Sequence, residues 1–563
     1  MKLFKTALIA ALCIIMAVSA GCSGAFSGST GHDTTALPSG QGASSVEATP
    51  VSDDSITAEA AVGEFSMTTE DGAFTQDGGV YTVTAAGTYT LRGALEGQIV
   101  VQASESDEVV LELSGTAISC SADSPIKVLS ADKVEISAKK GTENVINDNR
   151  AEKTADNAEQ GEGAISSKVD LKLKGSGTLV VNAGYNNGVS CSKDVTVQKL
   201  SLKVTAVNNA IKGKDSVTVK SGAVVAISTK GDGIKTESTD LSKSGKVRGD
   251  VSIEGGSVAV YAAGDGIQAA HDFNMLTGEE ATEPSVTVYT GSYSAYTASD
   301  ASVTSYKGVK AANSVNISSG LISISSYDDG LHADSGTSFE AGGTGEGNIN
   351  VSGGTVQMAV YSPEGKTGGG RMGPGGHGGW GGQQTVSGAD AIHADGTIEI
   401  SGGVINIDSA YEGLEGNVIN ISGGYTVVTA VDDAVNATKG ASEAAVNVTG
   451  GVLDAAVSPN GDTDGIDSNG TYTQTGGLVI TRGPNMEMSA AIDAESGVTV
   501  TGGTIIVLGY GRIMAGSAMK QIDLSLHSQG THTVNVGGTE YTFTNNYAYG
   551  QTLVASDTSV TGS

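Results

Sequence analysis

From about residue 160 the chain repeats one arrangement of polar and apolar positions. A polar or acidic residue and a small residue precede an aliphatic one. A short alternating strand, Ser/Thr-Gly-Gly and a second alternating strand follow. Complete copies read DAIHADGTIEISGGVINIDSAY over 390–411 and EGLEGNVINISGGYTVVTAVD over 412–432. The aliphatic anchor falls at Ile165, Val189, Ile211, Ile234, Ile267, Val309, Leu331, Ile392, Leu414, Val435, Ile466 and Ile492. Consecutive anchors lie 21–24 residues apart wherever no insertion intervenes. Alternation with period two, in segments rich in Thr, Val, Ile and Ser, predicts strands, and helical periodicity is almost absent.

The period selects the architecture. A strand cannot fold back on its neighbour within so short a unit, because a glycine corner only turns the chain. It pairs instead with the same strand of the next unit. The expected fold is all-β: a single-stranded, right-handed parallel β-helix, a solenoid with coils of about 22 residues, loop insertions and a C-terminal cap. Leucine-rich repeats share the period but need leucine and Asn signatures absent here, and propeller blades need about 40–45 residues. Insertions are expected at 141–163, 236–250, 271–305, 334–348 and 362–388, and residues 530–555, with Tyr541, Phe543, Tyr547 and Tyr549, are expected to cover the open end. Glycine is 82 of 563 residues. The coil corners account for that excess, since positive φ or close stacking of coils excludes a Cβ at Ser-Gly-Gly 352–354, 401–403 and 422–424.

The N-terminal segment reads differently. Residues 1–22 carry two lysines, an apolar run from Ala7 to Val18 and then Ala20-Gly21-Cys22, the pattern of a lipoprotein signal ending at a lipidated Cys22. Residues 23–62, rich in Ser, Thr, Gly and Ala, read as a flexible linker, because they lack the apolar surface to offset ordering entropy. Residues 63–555 are then the β-helical domain. The expected location is extracytoplasmic, on the cell surface, held to the membrane by the lipid anchor alone.

Charge narrows the partners. Acids outnumber bases 62 to 31, a net charge of −31 that repels phosphate backbones and excludes a nucleic-acid partner. Aligned on the anchor, the position two before it holds Asn187, Asn209, Asp232, Asp265, Lys307, Asp329, Asp390, Glu412, Asp433 and Asp464. The position after it holds Lys212, Lys235, Gln268, Lys310, His332, His393, Glu415, Asn436 and Asp467, among others. Asp328 and Tyr411 stand three before it, as does Tyr306. Stacked carboxylates about 5 Å apart raise one another's pKa unless neutralised, and hard oxygen ligands in a secreted chain suit Ca²⁺. Asp232, Asp265, Asp328, Asp329, Asp390 and Asp464 are the candidate ligands. The alternative is a corner in which Asp and Asn bond only the local backbone. Lys307 interrupts the acidic column and either balances its charge or, with Lys310 nearby, supplies the base of a calcium-assisted uronate elimination. His332 and His393 share a register on neighbouring coils, with no third metal ligand evident. Tyr306, Tyr411, His332, His393 and Trp380 are candidates for sugar contact. No nucleophile elbow, phosphate loop, Cys-x-x-Cys pair or zinc-protease motif is present.

GSGTLVVNAGYNNGV, STKGDGIKTE, SIEGGSVAVYAAGDGIQA, SYKGVKAANSVNISSG, SSYDDGLHADSG and NGDTDGIDSNGTYTQTGG resemble the β-helical carbohydrate-binding family of bacterial surface lipoproteins. The likeness runs over roughly residues 65–555. It implies binding of plant cell-wall polysaccharide, cellulose or acidic pectic chains, with bound calcium, on a helix related to that of a pectate lyase family. It does not say which carboxylates hold the ion. The chain is expected to act as a monomer. Two other readings stand beside this binding module: a lyase acting on polygalacturonate, with Lys307 or Lys310 as base, and a structural adhesin.

Overall fold

The computed structural model describes residues 55–155, 161–291, 305–339, 343–361 and 388–562. Cys22, the expected signal, most of the expected linker and Trp380 lie outside the described residues. Among the described residues there is no α-helix, and none is long and apolar enough to cross a membrane. Strands carry the fold, most of them in one large, mainly parallel sheet.

Period-two alternation leaves each strand with one apolar face, and the apolar faces meet by parallel pairing between units. The strand Asn187–Cys191, for example, pairs on one side with Gly163–Ser167 and on the other with Ile211–Gly213. Through most of the chain each strand joins the strand three further on, which draws three long ladders, an arrangement consistent with a solenoid. In the first ladder Ile99, Ile126, Ile165, Val189, Ile211 and Ile234 stand in register. The same column continues through Ile267, Val309, Leu331, Ile392, Leu414 and Val435. All of these side chains are fully buried. The second ladder stacks Val195, Val217, Val251, Phe273 and Val315, and the third stacks Val181, Val204, Ala226, Val260 and Val288. The three inward columns merge in one apolar core running from Met67 to Ala555. Each buried aliphatic contributes roughly 1.5–3 kcal/mol relative to exposure.

The two glycines of the corner have separate duties. Gly424 has φ of 76°, a left-handed conformation that a Cβ disfavours. At Gly423 a Cβ would stand 2.3 Å from the Ser401 carbonyl oxygen of the preceding unit, so the stacking itself excludes it.

Several expected loops are partly strand. Residues 141–163 contain Glu143–Asp148, which belongs to the third ladder. The stretch 271–305 contains Asp272–Met275 and Ser285–Thr290, paired into the second and third ladders. Among the described residues the insertions therefore sit at corners. One is the small hairpin Ser335–Ser338 with Thr344–Glu346, between the first and second ladders.

The two ends also differ from expectation. Ile56, within the expected linker, is 7% exposed and packs on the outer side of the third ladder against Val225, Ile227, Tyr261 and Tyr289. At the other end the expected cap divides. Thr552–Ser556 pairs antiparallel with Val498–Leu508 and closes that edge. The hairpin Gly530–Val536 with Thr539–Asn545 instead lies on the flank, its Val534 and Phe543 packed on the outward Leu478, Ile480, Ile506 and Leu508. Tyr549 is buried there, whereas Tyr547 stays 45% exposed.

Leu414→Asp would place an uncompensated charge in the first column. A lowered urea midpoint, with a loss of about 3–5 kcal/mol, is the expected result. Gly424→Ala should cost about 1–2 kcal/mol. An unchanged midpoint in Leu414→Asp would contradict the inward column.

Candidate functional site

The polar columns lie on the corner that leads from the third ladder into the first, as Asp328 and Asp329 do between Leu321–Ser326 and Leu331–Ala333. The position two before the anchor has a backbone duty. Asn187 Oδ1 accepts from the Asn209 amide at 3.2 Å, and Asn209 Oδ1 accepts from the Asp232 amide at 3.1 Å. Asp232 Oδ1 accepts from Asp265 N at 3.0 Å, and Asp265 Oδ1 from Lys307 N at 2.8 Å. The pattern returns from Asp329 to Asp390 at 2.9 Å and from Asp433 to Asp464 at 2.7 Å. At these positions one oxygen of the short side chain thus holds the next unit's turn. This is the corner role anticipated for Asp and Asn, made between units.

The second carboxylate oxygen decides the chemistry. At Asp232 and at Asp329 a cation meets it. Asp232 Oδ2 pairs with Lys235 Nζ at 2.8 Å. Asp329 Oδ2 pairs with Lys307 Nζ at 2.8 Å and lies 2.7 Å from His332 Nδ1, while Asp328 Oδ2 is 3.1 Å from the same lysine. Burial would raise the Asp329 carboxyl, but His332 and the Lys307 ammonium outweigh it and hold it well below the usual range. Burial likewise opposes the charge on Lys307, yet Asp329 and Asp328 prevail and raise its pKa. At Asp265 the Ser305 hydroxyl donates at 2.6 Å to the same Oδ1 that accepts from Lys307 N, and burial together with Asp232 raises the carboxyl. Lys310 pairs with Asp334 at 3.0 Å.

Beyond His393 the columns hold Glu412, Glu415, Asp432, Asp433, Asp464 and Asp467, with no Lys, Arg or His among them. Glu412 is pushed up by burial and by Asp390 and Glu415. Asp433 is pushed up to about 9 by burial and by Asp464 and Asp432. One oxygen each of Asp433, Asp464 and Asp467 falls within 4.8 Å of the others. An all-oxygen, anionic trio of this kind suits a hard divalent cation. Of the six expected metal ligands only Asp464 belongs to it. Asp232, Asp328 and Asp329 face lysines, Asp265 faces Ser305, and Asp390 faces His393. Asp433 and Asp467 stand in the aligned columns, and the sequence signal that marks them is the lack of Lys, Arg and His in those columns beyond His393.

His332 and His393 do stack, with ring centroids 4.7 Å apart and planes at 9°. Tyr306 meets Tyr327 edge-on at 5.8 Å, and Tyr327 stacks on Tyr361 at 4.2 Å, a short aromatic row beside Lys307 that sequence alignment did not reveal beyond Tyr306. Tyr411 packs over Gly388, where a Cβ would meet its ring.

The family model for carbohydrate-binding domain-containing proteins matches residues 77–365, about half of the chain, and the chain belongs to that family. A carbohydrate-binding domain-containing protein of Acetivibrio thermocellus is 36% identical over 132 residues, 23% of this chain and 44% of that relative. The match thus spans less than half of the relative's length. A solved polysaccharide lyase-like protein from C. thermocellum, a gadolinium derivative, is 32% identical and covers 39% of this chain and 86% of its own, with a TM-score of 0.35.

The raised groups give stability a pH slope. A carboxyl whose folded pKa exceeds its unfolded value stabilises fully below the unfolded value and loses that contribution as pH rises through the folded one. Asp433, at about 9, and Asp390 and Glu412, both raised, share this sign. His393, raised to about 11 against burial by Asp390 and Glu415, shares it above its unfolded pKa. In chelator the melting temperature should fall from pH 5 to pH 9, and Asp433→Asn should flatten the slope. A melting temperature rising across that window would contradict the crowded carboxylates.

Proposed function

We propose that the chain is a polysaccharide-binding protein of the cell surface. In this reading the three ladders are the faces of a right-handed parallel β-helix, and the corner carrying Asp433, Asp464 and Asp467 binds Ca²⁺. The observation that carries the reading is the crowded trio, one oxygen of each residue within 4.8 Å of the others, on a corner that repeats along the stack. A translational repeat suits an extended polymer, since successive units offer similar hydrogen bonds to successive sugars. Calcium, when bound, supplies positive charge against which an acidic sugar can approach a −31 chain. The Tyr306, Tyr327 and Tyr361 row offers apolar ring faces for sugar rings. Anchoring through a lipidated Cys22 rests on residues 1–22 alone, and its signature is a lipid-modified Cys22 as the mature N-terminus by mass spectrometry.

The second reading, a lyase, needs a proton acceptor. Lys307 Nζ donates to both Asp328 and Asp329, and these carboxylates keep it protonated. That favours charge balance over base catalysis.

The experiment is retention on immobilised polygalacturonate and on cellulose, with calcium or chelator. Acidic polysaccharide should retain the protein only with calcium. Asp464→Asn should weaken calcium binding by roughly 10–100-fold, the range typical of disturbing a metal site. Lys307→Ala should leave retention nearly intact. Steady release of unsaturated uronides that disappears in Lys307→Ala would replace the binding reading with the lyase.

A further inference from the structure

His393 occupies the boundary between the neutralised and the crowded parts of the column. Its Nδ1 lies 2.7 Å from Glu415 Oε2 and 3.2 Å from Asp390 Oδ2. Single ligand atoms of Asp390, His393 and Glu415 all fall within 4.8 Å of one another. The other ring nitrogen, Nε2, stands 3.5 Å from Asp395 Oδ1. A carboxylate behind an imidazole whose front nitrogen faces two more carboxylates is the arrangement that orients a metal-bound histidine.

We propose that Asp390, His393 and Glu415 form a second metal site, separate from the oxygen trio, that takes a borderline divalent transition metal of the Zn²⁺ class.

Three further observations support it. Asp390 is 7% exposed and its Oδ1 has no hydrogen-bond partner, although a buried carboxylate oxygen ordinarily has one. Asn436, the register partner of Glu415, is 9% exposed and its Oδ1 is also unpartnered, while its Nδ2 donates to Glu412 at 2.9 Å. Two unsatisfied buried oxygens thus flank the same short stretch of corner. Entry is open, since the His393 and Glu415 side chains are 23% and 22% exposed.

Ligand type sets the selectivity. One imidazole with carboxylates favours Zn²⁺ and its neighbours in the first transition row, whereas Ca²⁺ prefers oxygen alone. The stacked His332 is a wall rather than a ligand. Its two nitrogens already face Asp329 at 2.7 Å and Asp334 at 2.8 Å. Asp329 does supply the third ligand atom that the sequence did not show for His332 and His393, all within 4.8 Å of one another. A cation placed with Asp329 would also meet the Lys307 ammonium, 2.8 Å from that carboxylate.

The test titrates chelator-stripped full-length protein with ZnCl₂ by calorimetry in excess CaCl₂, and records electron paramagnetic resonance after loading Cu²⁺. One Zn²⁺ should bind in the presence of calcium, and Cu²⁺ should show coupling to nitrogen. His393→Gln should lower Zn²⁺ affinity by at least about 100-fold, the upper end of what a supporting residue costs, and remove the nitrogen coupling. It should leave Ca²⁺ affinity within about twofold, where Asp464→Asn should do the reverse. His332→Gln should retain nitrogen coupling. The proposal is overturned by absence of Zn²⁺ binding, by its displacement with calcium, or by unchanged Zn²⁺ affinity in a folded His393→Gln.

Discussion

Parallel pairing in strict register sets equivalent side chains of successive units about 5 Å apart, and the rest of the structure answers to that spacing. For aliphatic residues the spacing is favourable. Identical shapes stack without voids, and Ile211, Ile234 and Ile267 become one column. For glycine it is a steric requirement, because the backbone of one unit lies where the Cβ of the next would be, as at Gly423. For carboxylates it is a liability, since like charges at that distance oppose each other's ionisation.

The corner column shows how the liability is handled. Most of the short acidic and amide side chains, Asn187, Asn209, Asp232, Asp265, Asp329 and Asp433 among them, give one oxygen to the next unit's backbone, which favours Asn or Asp there for structural reasons. The remaining charge then needs an answer. Lys235, Lys307, His332 and His393 supply it in turn. Past His393 no such residue stands in the columns, and the carboxyls of Glu412 and Asp433 are pushed upward. The proposed function places external cations where the protein's own cations stop. A chain of this charge gains twice from that arrangement, in its own stability and in the approach of an anionic polymer.

The ladder was readable in the sequence because one apolar residue per unit must face inward, and Ile165 through Val435 kept that register through every insertion. Ile99 and Ile126 belong to the same column but follow Gly97-Gln98 and Ser124-Pro125, not the polar residue and then Gly or Ala that precede most later anchors, so alignment on the corner missed them. Strands such as Glu143–Asp148 were hidden for a similar reason: the long gap between anchors looks like a loop when only one of the three ladders is tracked. The site was half readable. The columns placed Asp433, Asp464 and Asp467 together, but which carboxylate is already paired depends on how far a lysine or histidine reaches. Lys307 shows this, serving Asp328 and Asp329 at once. Tyr327 and Tyr361 escaped because each sits at the end of a third-ladder strand, one step outside the aligned columns.

The central claim is that charge compensation within the column decides where a cation binds. Anomalous diffraction from crystals of the protein grown with calcium tests it directly. A calcium peak is expected among Asp433, Asp464 and Asp467 and none at Asp329, where Lys307 and His332 already stand. Calcium bound at Asp232, Asp265 or Asp329, with none at the trio, would contradict it.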